Sequence, residues 1–325
     1  MPFLPLSLLA TGKALPARIV SSAELDERLG KPRGYVQKRS GIVHRHHAEP
    51  GLLQSDLAAR AVRDACARGG IAPESIDLLI NVNGVPEQAL PCTAAHVLAA
   101  LGWRGRAGYD LNASCVGFLP ALQHAAALLN SGCHRRIAIV ACDLASRGLN
   151  WADEESSLIF GDGAAAAIVE RGCGEGGIRR FVMKNYPDAV SLCQIPAGGT
   201  RRNMVSGMRP QDFYFKMHGR ELFRRSAEVL PEILGELLAG MSIADCDLWL
   251  VHQASHLGMQ HITKRLGISE RRLVNIYPTH GNQVSASLPT VLHEAFTGNL
   301  WQRGSRVAMV GTAAGLAVAG LIWEV

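Results

Sequence analysis

The sequence predicts a layered α/β fold built on largely buried sheets. Three observations carry this prediction. Strand-like apolar runs alternate with longer helical patterns, a glycine-rich segment nearly bisects the chain, and the second half repeats the alternation of the first. At 325 residues the chain exceeds the usual size of one hydrophobic core, so two domains or one duplicated α/β unit are expected.

The elements follow in order. Residues 1–12 are apolar but lack a basic leader and are interrupted by Pro2 and Pro5, so they read as a first strand ending at Gly12 and no secretion is expected. Residues 76–82 read as a strand, 93–101 and 116–129 as helices, and 137–142 as a strand. Residues 171–177 hold four glycines in seven positions and form the best hinge, which divides the chain into 1–172 and 173–325. Beyond it, 219–238 reads as a long helix broken or kinked near Pro231, 248–252 as a buried strand, and 256–266 as a helix closed by Gly267. A final strand pair, 306–310 and 316–323, frames a turn at 311–315.

Composition bounds the function. Hydrophobic residues make up 48% and charged residues 19%, ordinary for a soluble globular protein, and no run approaches the ~18 apolar residues of a membrane span. A net charge of +5 without a continuous Lys/Arg tract argues against nucleic acid as a partner. None of the eight cysteines stands in a Cys-x-x-Cys pair, so reduced thiols in a cytoplasmic protein are expected rather than a zinc site or a disulfide scaffold.

Polar groups concentrate where apolar strands end. Cys115, in Tyr109-Asp-Leu-Asn-Ala-Ser-Cys115, lies where a strand-like opening passes into an apolar helical stretch. Free amides and the macrodipole at a helix N-terminus favour negative charge, which predicts a lowered thiol pKa and a nucleophile. Alone, Cys115 reads more readily as a small buried hydrophobe. Two partners are candidates: His252, at the end of Trp249-Leu-Val-His252, and Asn282, in Tyr277-Pro-Thr-His-Gly-Asn282. An imidazole titrating near neutrality and a carboxamide that never ionises could together hold a developing oxyanion. Singly, His252 reads as a structural histidine and Asn282 as a turn residue.

These segments carry a resemblance. Asp110-Leu-Asn-Ala-Ser-Cys115 with Gly117-Phe-Leu, then Ile159-Phe-Gly-Asp-Gly-Ala164, His252-Gln-Ala-Ser255 and Gly281-Asn-Gln-Val-Ser-Ala-Ser287 resemble, in order and spacing, β-ketoacyl-acyl-carrier-protein synthase III of the thiolase superfamily. The match spans essentially the whole chain. It implies a thiolase-like duplicated αβαβα five-layer fold and a homodimer, with Cys115 as nucleophile in the first half and His252 and Asn282 in the second. It also implies acyl transfer from an acyl thioester to Cys115, then decarboxylative condensation with a malonyl thioester in fatty acid or polyketide-type biosynthesis. The oxyanion would be held by the amides of Cys115 and Ala314, with no metal or redox cofactor. Acyl-CoA or an acyl carrier protein would deliver the substrate.

The same resemblance assigns outer positions. Tyr35 and Arg39 fall where the family surrounds the coenzyme A adenine, while Glu154 replaces an arginine and would repel a phosphate-bearing ligand. Ala314 stands where the family turn has glycine, and its Cβ would restrict positive φ. Arg224, Lys264 and Arg265 match basic positions that meet a carrier protein, with Leu257 in place of another arginine. Leu90 lies near where a partner subunit closes the acyl pocket with an aromatic ring, so a group larger than acetyl is expected. The His44-Arg-His-His47 tract reads as a basic loop, because adjacent residues cannot easily converge on one metal ion. Three competing readings are an acyltransferase acting on a hydroxyl or amine, a non-catalytic partner subunit, and a cysteine hydrolase. Retention of Cys115, His252 and Asn282 together favours condensation.

Overall fold

The computed structural model describes residues 2–174 and 176–325, so Glu175 in the glycine-rich hinge lies outside the described residues. The first half contains strands β1 (Leu4–Pro5), β2 (Ser7–Ala14), β3 (Ile19–Ser21) and β4 (His44–His46), with helices α1 (Ser22–Arg28), α2 (Tyr35–Ser40) and α3 (Gln54–Gly69). It continues through β5 (Leu78–Val82), α4 (Thr93–Leu101), β6 (Ala107–Leu111), α5 (Phe118–Asn130), β7 (Arg136–Asp143), α6 (Glu154–Ser157) and β8 (Gly163–Glu170). The second half runs β9 (Gly177–Asn185), β10 (Cys193–Gln194), β11 (Lys216–Met217), α7 (Gly219–Leu238), β12 (Leu248–Val251) and α8 (His256–Leu266). It ends with α9 (Tyr277–His280), α10 (Ser287–Thr297), β13 (Arg306–Ala313) and β14 (Ala317–Glu324).

Two five-stranded sheets repeat one topology. The first has the order β2-β8-β7-β5-β6 and the second β1-β9-β14-β13-β12. In the first, β5 is parallel to β7, β7 antiparallel to β8, and β8 antiparallel to β2. In the second, β12 is parallel to β13, β13 antiparallel to β14, and β14 antiparallel to β9. Four strands thus recur in the same chain order, with the same neighbours and senses. Where β6 flanks β5 in the first sheet, a parallel bridge from Trp249 to Leu273 flanks β12 in the second.

Side-chain alternation builds the layers. Leu78, Ile80 and Val82 face the same central core as Leu248, Leu250, Val307 and Met309, and α5 and α10 fill the space between the sheets with Phe118, Leu122, Leu288 and Val291. Leu79 points the other way, onto α3 and α4 through Leu57, Val62 and Val97. Trp249 and Val251 likewise point outward, onto α7 and α8 through Ile233, Leu237 and Met259. Both faces of both sheets are buried, which explains why these strands read as continuous apolar runs. The result is a five-layer αβαβα arrangement.

Three details differ from the sequence expectation. The opening strand is divided at Leu6, so β1 pairs with β9 of the second sheet while β2 pairs with β8 of the first. The buried Leu6 packs in the central core between them. Helix α7 runs unbroken through Pro231, because Leu230, Ile233, Leu234 and Leu237 anchor it in the outer core on both sides of the missing N–H. The His44–His47 tract is not a loop: His44–His46 pairs with Ile19–Ser21, and the fully buried Arg45 donates to Leu158 O and Ser22 Oγ.

Candidate active site

A single cleft of about 1320 Å³ is lined by Cys115, His252, Asn282 and the turn at 311–315. Each reaches it from a different element. After β6 the chain turns sharply through Ser114, whose φ of 49° is left-handed and whose N–H donates to Asn112 Oδ1. Residues Ser114–Val116 form one 3₁₀ turn before α5, and Cys115 sits in that turn rather than inside the helix. A Cβ at Gly117 would lie 2.6 Å from Val82 Cγ1, so glycine lets the turn press against β5.

His252 directly follows β12 and its N–H donates to Val310 O on β13. Gly311 makes room for the ring, since a Cβ there would lie 2.8 Å from His252 Cβ. Asn282 is held at both ends: Nδ2 donates to Ala254 O at 3.3 Å, and Oδ1 accepts from Val284 N at 2.9 Å. One Asn282 N–H therefore remains for a ligand in the cleft. Val284 has a φ of 55°, strain for a β-branched residue that the surrounding bonds must hold in place.

The sequence motif at 159–164 serves this segment. Asn282 N donates to Ile159 O and Gly161 N to Asn282 O. A Cβ at Gly161 would lie 2.1 Å from His280 O, and one at Gly163 2.0 Å from Gln283 Nε2. Small residues here let the two halves meet at the cleft.

Electrostatics overturns one expectation. Burial raises the Cys115 thiol well above its ordinary range, and Cys193 and Asp143 nearby push the same way. The backbone amides of Ala314 and Cys115 itself oppose them. Desolvation of the thiolate outweighs the helix-terminus effect, so the resting group is a neutral thiol. Burial also lowers His252 to about 4, keeping the imidazole neutral, and its Nδ1 has no hydrogen-bond partner among the described residues.

The Ala314 expectation is also corrected. Among the described residues only Ser114, Val284 and Asn299 are non-glycine positions with positive φ, so the Ala314 Cβ imposes no such strain. Gly315, at φ 130°, takes the permissive conformation instead.

Several participants escaped the sequence reading. Asp143, at the end of β7, is buried and accepts from Gly84 N, Val85 N, Ser285 N and Ser285 Oγ, tying the cleft floor to the Asn282 segment. A carboxylate ending an apolar strand was the available signal. Phe160 stacks on Phe215 with centroids 4.6 Å apart, and Cys193 lines the same cleft as Cys115; neither pairing has a local sequence signature.

Of the outer candidates, Tyr35, Arg39 and Leu90 do not line the cleft. Tyr35 Oη donates to Glu154 at 2.6 Å, and Lys31 and Arg39 lie 2.6 and 3.7 Å from the same carboxylate. Three partners thus compensate Glu154, and they hold its pKa below the usual range, Lys31 foremost. Leu90 is 82% exposed, while its neighbours Gln88 and Ala89 line the cleft. Lys264 and Arg265, in the last turn of α8, border a shallow surface depression with Phe223, Leu257 and His261. Phe223 and His261 also line the cleft, so the depression adjoins its mouth; Arg224 is exposed on α7.

The buried histidines predict acid lability. Burial pushes His47, His252 and His280 each down to about 4. The unfolded chain takes up these protons near pH 6.5 and the folded chain only near 4, so stability is lost as pH falls through that window. Asp143, raised by burial to about 6, offsets roughly one proton because the folded state binds it first. The expected slope is therefore positive and of order 2–3 kcal/mol per pH unit between about 4 and 6.5. Denaturant midpoints measured across this range check it; a flat profile would show that the histidines are not held neutral.

Five layers with a thiol, an imidazole and a carboxamide converging between the sheets define a thiolase-like enzyme of the transferase class. Residues 109–187 match the 3-oxoacyl-[acyl-carrier-protein] synthase III family profile, and residues 238–325 match its C-terminal counterpart. The chain is 34% identical to a β-ketoacyl-[acyl-carrier-protein] synthase III of Streptomyces coelicolor, covering 97% of this chain and 96% of that one. It is 32% identical to the synthase III of Symbiobacterium thermophilum, with 97% of each covered. The crystal structure of the Thermus thermophilus synthase III superposes with a TM-score of 0.89 at 29% identity, covering 98% of this chain and 99% of that one. The chain belongs to the β-ketoacyl-[acyl-carrier-protein] synthase III family.

Proposed function

We propose that this protein makes a 3-oxoacyl thioester by acyl transfer to Cys115 followed by decarboxylative condensation. The observation that carries the reading is the convergence of Cys115, His252, Asn282 and the Ala314 amide on one cleft. Cys115 Sγ attacks the carbonyl carbon of an acyl thioester; the carbon–sulfur bond to the first carrier breaks, and the thiol proton ends on the departing sulfur. The amides of Cys115 and Ala314 meet the tetrahedral oxyanion. A neutral resting thiol suits this step, because deprotonation is needed only as the bond forms.

A malonyl thioester then occupies the cleft and loses CO₂. The electron pair left behind forms an enolate whose oxygen accepts from His252 and from the free Asn282 N–H. Its carbon attacks the acyl-cysteine, the Cys115 carbon–sulfur bond breaks, and the departing sulfur takes one proton from solvent, the proton that the condensation consumes overall. Neutral His252 serves as donor without adding a charge that would hold the malonyl carboxylate. The sequence of steps needs no metal or redox cofactor.

Acyl-CoA or an acyl carrier protein delivers the substrates in this reading. Arg224, Lys264 and Arg265 meet the acidic face of a carrier protein beside the cleft mouth, and Tyr35 and Arg39, anchored on Glu154, meet a nucleotide when coenzyme A is the donor. The chain acts as a homodimer in which exposed Leu90 serves the acyl pocket across the subunit interface, and its two halves divide at 172/173. The pathway is fatty acid or polyketide-type synthesis.

Intact-mass analysis tests the reading. An acyl thioester should add one acyl group to the protein, and malonyl-carrier protein should then remove it as a 3-oxoacyl product. An adduct that decays only to free acid would establish a hydrolase; one that leaves only with an alcohol or amine would establish an acyltransferase.

A further inference from the structure

A buried carboxylate lies beneath the Asn282 segment, and no step of the proposed reaction uses it. Asp143 ends β7 and is 1% exposed. Its Oδ2 accepts from Ser285 N at 3.1 Å and from Ser285 Oγ at 2.5 Å. Its Oδ1 accepts from Gly84 N at 3.0 Å and Val85 N at 3.1 Å, just beyond β5. Burying a charge is unfavourable unless hydrogen bonds satisfy it. Burial pushes Asp143 up to about 6, and the Ser285 hydroxyl leads the groups that pull it back. One carboxylate thus ties the first half of the chain to the second beside the cleft.

From Ser285 the contacts run directly to the Asn282 side chain. Val284 precedes Ser285, and its N–H donates to Asn282 Oδ1 at 2.9 Å. Val284 sits at φ 55°, a conformation that a β-branched residue holds only under constraint. Asp143 grips both donors of Ser285 on one side of it. Gly84 abuts it on the other, where a Cβ would lie 2.6 Å from Val284 Cγ1. Fixing the Val284 N–H fixes Asn282 Oδ1 and orients the carboxamide, with one Nδ2 proton on Ala254 O and the other left for the cleft. The Cys115 turn is held by a different set, the Asn112 side chain and Gly117.

We propose that Asp143, acting through Ser285 and Val284, is the positioning residue of the condensation half-reaction, aiming the free Asn282 N–H at the enolate oxygen. The inference rests on the reading that Asn282 donates to that oxygen. The charge of Asp143 also pushes the Cys115 thiol up, so neutralising it does not hinder thiol deprotonation during acylation.

The whole protein is acylated with acetyl- or octanoyl-pantetheine and followed by intact mass, and CO₂ release from malonyl-pantetheine is then measured. The readout is the ratio of the decarboxylation rate to the acylation rate. Asp143→Asn replaces an acceptor oxygen by a donor amide, and Ser285→Ala removes only the hydroxyl. The ratio is expected to fall at least about tenfold in Asp143→Asn and at least about fivefold in Ser285→Ala. In an Asn282→Ala background no donor remains to be aimed, so adding Ser285→Ala should change the ratio by less than about twofold. Thermal melting establishes that the variants are folded; if Asp143→Asn does not fold, Ser285→Ala alone decides. A ratio unmoved in folded Ser285→Ala, or a fivefold loss that persists in the Asn282→Ala background, overturns the inference and leaves Asp143 a structural residue. Decarboxylation undiminished in Asn282→Ala itself would instead sink the enolate reading of Asn282, and this inference with it. Failure of both thioesters to label Cys115 would sink the acylation reading.

Discussion

Cys115→Ala is expected to lose the acyl adduct altogether and to lower condensation by at least about 10⁴-fold. The physical reason is covalent. In the proposed reading the acyl chain is carried between two carriers on Cys115, where the amides of Cys115 and Ala314 face its carbonyl. Stability should change little, on the order of 1 kcal/mol, because only one sulfur at the cleft surface is removed. The decisive control is Cys193, which lines the same cleft and whose thiol burial pushes up to about 11. An adduct of unchanged yield in Cys115→Ala, mapped to Cys193, would show that the wrong thiol has been assigned.

Asn282→Asp should separate the two half-reactions. Aspartate keeps an oxygen able to accept from Val284 N but offers no Nδ2 donor. Acylation of Cys115 is expected to stay within a few-fold of the parent, since the oxyanion of that step is held by backbone amides. Decarboxylation of malonyl thioester should fall about 10²–10³-fold, the usual cost of removing one oxyanion donor, with a further loss from the carboxylate facing an enolate. Asn282→Ala should lose the same donor without the loss due to the carboxylate, but also release Val284 from its left-handed turn, visible as a lower melting temperature. Equal loss of both half-reactions in Asn282→Asp would assign Asn282 to the structure of the site rather than to the enolate.

Much of the fold was legible because its determinants are local. The helix at 93–101 and the one at 256–266 with Gly267 as its left-handed cap follow directly from periodicity and punctuation. Buried strands such as Leu248–Val251 are apolar on both faces because helices cover both faces, and that pattern survives in one dimension. Features that depend on distant packing were not legible. Pro231 reads as a break or kink, yet α7 continues through it, anchored in the outer core on both sides. The opening segment reads as one strand, yet it serves both sheets.

The candidate site divides in the same way. The ordered motifs around Cys115, His252 and Asn282 single out three residue types whose chemistry is intrinsic, and Gly161 and Gly163 mark where backbones must approach closely. Protonation is different. A helix terminus beside Cys115 predicts a thiolate, while the folded cleft removes water from the sulfur and sets Cys193 and Asp143 near it, leaving a thiol. Glu154 shows the same dependence: alone it repels phosphate, and in the fold Lys31, Tyr35 and Arg39 surround it.

The sequence by itself therefore determined the layered α/β class and the duplicated plan and singled out the candidate reactive groups, because periodicity, turn chemistry and functional groups are properties of residues and their near neighbours. Only the tertiary structure decided the charge state of Cys115, the freedom of Ala314 and the tie from Asp143 to the Asn282 segment. Those are set by solvent exclusion and by side chains arriving from remote segments, and desolvation exists only once the chain has folded.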